Sequence, residues 1–137
     1  MIRQSFNVQS YWKVIVFYNI DYDFFDIVAD ELKAIDTPKW GIDNIYNIMS
    51  TGKALAFTQS NLKKHVSIVG FNRHKNSYDY LNSIVHEAEH IKQAMLEAYS
   101  VDDKDEPPAY TIGYLIMRMY DTFKDIIALF SFTYLLL

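Results

Sequence analysis

Residues 77–99 read SYDYLNSIVHEAEHIKQAMLEAY, and this stretch decides the fold. Leu81, Ile84, Ala88, Ile91, Met95 and Tyr99 recur at spacings of three and four, which predicts an amphipathic helix over Tyr78–Tyr99 with Ser77 as its cap. The helix also spells His86-Glu87-Ala88-Glu89-His90, the HExxH pattern, whose His86, Glu87 and His90 project from the other side with Asn82, Ser83, Gln93 and Glu97. Residues i and i+4 lie about 40° apart around a helix, so both imidazoles can reach one metal ion. Glu87 is turned about 100° from His86, beside the metal, where a carboxylate can take a proton from bound water. With four His and five Glu in 137 residues, a shuffled chain contains this pattern in only about 0.4% of cases, so its presence is informative. The competing Glu-x-x-His reading, a di-iron bundle, needs a second such motif on another helix, and the sequence has none.

The surrounding sequence predicts one mixed domain over residues 1–137. Tyr11–Tyr18 is rich in β-branched and aromatic residues and reads as a strand. Tyr22–Ile35 switches to helical spacing with Asp21 or Asp23 near its cap, and a short helix follows over Ile42–Met49. Ala54–Thr58 and Val66–Phe71 read as two strands joined through Gln59–Lys64 as a hairpin. After the acidic stretch Val101–Glu106, Pro107-Pro108 opens a last helix running to about Ile127 or beyond. The expected class is α+β, a small sheet packed on the long helix and the C-terminal helix.

Composition removes several functions. No cysteine is present, which excludes disulfides, iron–sulfur clusters, cysteine-type zinc sites and thiol catalysis. Thirteen Lys/Arg against seventeen Asp/Glu give a net charge of −4, which gives no support to nucleic-acid binding. Residues 1–75 carry +2 and residues 76–137 carry −6, an acidic half that reads as solubility or attraction of a cation or basic partner. The apolar run Val14–Tyr18 is too short for a signal-peptide core. The tail Ile126–Leu137 is shorter than the roughly 17–25 residues that span a bilayer. It reads as a terminal helix completing the core, with a partner surface as the alternative. A cytoplasmic location is the expectation.

A catalytic zinc site usually takes three protein ligands. The candidates beyond the helix are His65, His74, Asp102, Asp103, Asp105 and Glu106. Glu106 is preferred, because Glu106, Tyr110, Gly113 and Met117 form one stripe whose glycine permits close approach to the HExxH helix.

HEAEH followed by Glu106 resembles the zincin metallopeptidases, specifically the gluzincin type. The run EPPAYTIGYL, residues 106–115, is similar to small zincin-like proteins of gut bacteria and their phages. The resemblance implies zinc bound by His86, His90 and Glu106, with Glu87 as the general base of a peptidase or amidase. It also implies a hairpin strand bordering the cleft and pairing with an extended peptide substrate. Tyr110 or Tyr114 is a candidate oxyanion stabiliser. The rival expectations are a silent zincin-like interaction module with a structural metal, and a metal-free helical adaptor.

Overall fold

The computed structural model describes residues 1–9, 11–100 and 106–136, the side chains of 106–109 and 129–136 excepted. Its centre is a pair of parallel strands, β2 (Trp12–Tyr18) and β4 (Val66–Phe71). Both are almost wholly buried, as a parallel pair covered on both faces must be. β1 (Ile2–Val8) lies antiparallel to β2 at one edge, and β3 (Ala56–Asn61) lies antiparallel to β4 at the other. The order is β1-β2-β4-β3.

Alternation along the strands divides the core in two. Val14, Val16, Tyr18, Val69 and Phe71 face α3 (Ser77–Tyr99) and α4 (Glu106–Leu136). Ile15, Phe17, Phe57 and Ile68 face α1 (Phe25–Ala34) and α2 (Lys39–Ser50). The sheet therefore carries helices on both faces, in a mixed α+β arrangement. Gly70 exists for this packing: a Cβ there would stand 2.2 Å from the Phe57 ring and 2.8 Å from Ile20.

Several boundaries differ from the sequence reading, each for a local reason. Asn76 caps α3, accepting from the Asp79 N–H at 2.8 Å, so Ser77 is already helical. A single 3-10 turn, Tyr22–Phe24, precedes α1, and Asp21 caps it. The helix expected over Ile42–Met49 begins at Lys39, straight after Pro38. β3 runs on to Asn61, whose side chain accepts from the Lys63 and Lys64 N–H groups at 3.0 Å and closes the hairpin turn. β1 is additional. Among the described residues no helix is long and apolar enough to cross a membrane. The tail beyond Ala128 lies outside the described side chains, and Ile126 before it is buried.

α4 lies along α3 and reaches β1. Leu115, Met119, Phe123 and Ile126 are its buried stripe, and Phe123 meets Tyr80 of α3 with ring centroids 5.2 Å apart. The expected contact through Gly113 is absent. Among the described residues, its chain neighbours and the local helix backbone aside, no atom lies within 4 Å of where its Cβ would stand. Tyr110 is 70% and Met117 53% exposed, so that stripe faces solvent.

Candidate metal centre

α3 presents its motif to a cleft at the β3 edge. Tyr80, Ile84, Ala88, Ile91 and Met95 hold the helix on the sheet, while Leu81 and Tyr99 of the expected stripe stay exposed. One turn apart, His86 and His90 turn their rings towards each other, with Nε2 atoms 3.1 Å apart. The rings stand nearly perpendicular, at 83°. Both side chains are exposed.

Glu87, although it lies on the face opposite the apolar stripe, is not solvated. It is 5% exposed, because edge strand β3 closes over it. Thr58 Oγ1 donates to Glu87 Oε1 at 3.0 Å, and Oε2 lies 3.9 Å from His86 Nε2. Even-numbered residues of β3 face α3, which brings Thr58 onto the motif, whereas Phe57 faces α1 and α2. Burying a carboxylate costs several kcal/mol unless hydrogen bonds or an ion compensate it. A cation between the imidazoles and Glu87 would supply that compensation.

The donor set fits such an ion. One ligand atom each from His86, Glu87 and His90 lies within 4.8 Å of the others, a cluster that resembles an HExxH site. Zn–N bonds of about 2.0–2.1 Å span up to about 4.2 Å, so one ion can bridge Nε2 atoms 3.1 Å apart. Glu89, the charged residue between Glu87 and His90, is paired with Lys92 at 2.8 Å and does not join the cluster.

The cleft has a volume of about 670 Å³. β3 contributes Phe57, Thr58 and Ser60, α2 contributes Asn44 and Ile48 from the opposite face of the sheet, and α3 contributes the motif. Among the described residues no Lys or Arg lines it. Sequence reasoning missed Thr58 and the α2 wall. Thr58 was visible only as an alternate residue of a predicted strand, and Asn44 carried no signal.

The other candidates fall elsewhere. Tyr114 donates to the Asn7 carbonyl at 3.2 Å, on the β1 edge, and Tyr110 lines a small hollow there with Val8 and Gln9. Neither joins the motif, because α4 packs at the opposite edge of the sheet. Glu106 opens α4, and its side chain lies outside the described residues, as do Asp102, Asp103 and Asp105. His65 stacks on Trp12 with ring centroids 5.5 Å apart. His74, in the connection between β4 and α3, is 6% exposed.

Compared with protein-family models, with curated proteins and with solved structures, the chain matches none.

Proposed function

We propose that this protein is a zinc-dependent hydrolase acting on peptide or amide bonds. The observation that carries the reading is the triad itself: two Nε2 atoms 3.1 Å apart on a cleft wall, beside a buried carboxylate. His86 and His90 would hold the ion through their imidazole nitrogens. Zinc, when bound, polarises a carbonyl and lowers the pKa of water at its open position to about 7.

The chain's own groups do the rest. Glu87 accepts the proton of the attacking water and returns it to the leaving amine. Thr58, donating to Oε1, fixes the carboxylate and leaves Oε2 towards the histidines. β3 is an edge strand bordering the cleft, so its free backbone edge suits an extended peptide. The described lining carries no Lys or Arg, which disfavours substrates that bind by a carboxylate or phosphate. Because the Gly113 stripe faces solvent, the reading rests on the two imidazoles, and Glu106 as third ligand needs its own test.

Peptide-library hydrolysis tests the proposal. Wild type is expected to cleave, and Glu87→Gln is expected to retain zinc while losing at least a hundredfold in rate, since an amide cannot take the proton. Cleavage by Glu87→Gln at the wild-type rate would remove Glu87 from the mechanism. A zinc-loaded wild type that cleaves nothing would favour a metal site without catalysis.

A further inference from the structure

Ser83 of the cleft wall is hydrogen-bonded to His74, which does not itself line the cleft, and the metal chemistry uses neither residue. Ser83 lies one turn before Glu87 on α3, is half-buried, and lines the cleft wall. Its Oγ is 2.8 Å from Nε2 of His74. On the far side of that ring, Nδ1 is 2.8 Å from the carbonyl oxygen of Asn72.

These two contacts fix the direction of both hydrogen bonds. A carbonyl oxygen only accepts, so Nδ1 of the neutral ring carries the hydrogen and donates to it. Nε2 is then the lone-pair nitrogen, and the Ser83 hydroxyl is the donor. The ring cannot easily turn away from this arrangement. It is buried, and it packs on Tyr80 with centroids 4.4 Å apart. Burial holds the imidazole below the usual histidine range, against the opposing pull of the Asn72 carbonyl and Asp79. The ring is therefore a free base at neutral pH. A hydroxyl within hydrogen-bond reach of a base, with the base oriented by a third group, is the arrangement of an activated nucleophile.

We propose that Ser83 and His74 form a nucleophile–base pair that takes an acyl group from a neutral ester. In the first step Ser83 Oγ bonds to the acyl carbon and its proton passes to His74 Nε2. The ester C–O bond then breaks, and the departing alkoxide leaves as an alcohol with that proton. Water, deprotonated by the same nitrogen, attacks the acyl-serine, releases the acid and restores the Ser83 hydroxyl. Ile45, Ile48, Leu55 and Phe57 line the cleft and suit an apolar acyl chain. With no Lys or Arg among the described lining residues, a neutral substrate is favoured over an anionic one.

The pair needs no metal, so it is tested on the full chain with a chelator present, separately from the hydrolase reading. The probe is an alkyl fluorophosphonate. Ser83 Oγ bonds to phosphorus, fluoride leaves, and the hydroxyl proton goes to His74. Peptide mass spectrometry locates the adduct, and Ser60 is an internal control. It lines the same cleft, but its Oγ is bonded to Ser67 and has no imidazole partner. The expected result is an adduct at Ser83 formed at least tenfold faster than any at Ser60. His74→Gln is expected to slow the Ser83 adduct at least tenfold. No adduct at Ser83, equal rates at Ser83 and Ser60, or labelling of folded His74→Gln at the wild-type rate would each overturn the proposal. The comparison of the two serines within wild type stands even where the His74 variant fails to fold.

Discussion

Thr58 on the edge strand and Glu87 on the motif helix are joined by a hydrogen bond of 3.0 Å, the one polar tie between β3 and the HExxH residues among the described side chains. Thr58→Val keeps the shape and removes the donor. It leaves Oε1 of a buried carboxylate without its partner, which costs about 1–3 kcal/mol. Urea unfolding at pH 7.5 should read that loss, and zinc affinity should change less than threefold. Unaltered stability would mean that Glu87 is solvated in solution.

Acid weakens the fold through His74. Burial disfavours its charged form, so the native imidazole stays neutral while the unfolded chain takes up a proton near pH 6.5. The unfolded state then binds more protons, and stability falls as pH drops through about 6.5. Above that pH this contribution is fully present. His74→Gln should be less stable at pH 7.5, since it loses the bonds to Asn72 and Ser83, but should lose less on acidification. Urea midpoints at pH 7.5, 6.5 and 5.5 check this, and equal pH slopes in both proteins would refute it.

Gly70 tests how β3 is seated. Gly70→Ala drives a Cβ to 2.2 Å from the Phe57 ring, and overpacking of this kind costs about 1–3 kcal/mol. Adding Phe57→Leu should recover part of the loss, a coupling measurable by a double-mutant cycle. If the effects simply add, the two residues do not meet.

The third ligand is best judged by comparison. Tyr110 and Met117 face solvent, and Gly113 meets no neighbour within 4 Å. Nothing among the described residues presses that stripe onto α3. Glu106→Ala should therefore weaken zinc binding by less than tenfold, while His86→Ala weakens it by far more. A loss of tenfold or greater in Glu106→Ala would make it the third ligand.

The legibility of this chain follows from how local each signal is. β2 announces itself by the continuous apolar run Val14–Tyr18, and β4 by Val66, Ile68 and Val69 about a single Ser67, because both faces of each strand are buried. The motif helix shows its 3.6-residue period, yet the arc was set slightly wrong, since Tyr80 is in the core and Leu81 is not. β1 offers Phe6 and Val8 as its buried residues, and its strand conformation comes from pairing Ile2 with Tyr18 through Val8 with Trp12. The burial of Glu87 was illegible for a similar reason. Its cover, Thr58, is 29 residues away. The α4 stripe was misread because 110, 113 and 117 satisfy helical spacing as well as 111, 115 and 119 do. Only the packed partner, α3 with β1, decides between them.

Zinc stoichiometry tests the central claim most directly. The purified, untagged chain is stripped with chelator, loaded with zinc, dialysed and measured by elemental mass spectrometry beside His86→Ala and His90→Ala. The account predicts about one zinc per chain in wild type and loss of most of it in each variant, because one remaining imidazole makes a poor site. A wild-type chain that stays metal-free after loading, or a single zinc that survives both substitutions, would contradict it.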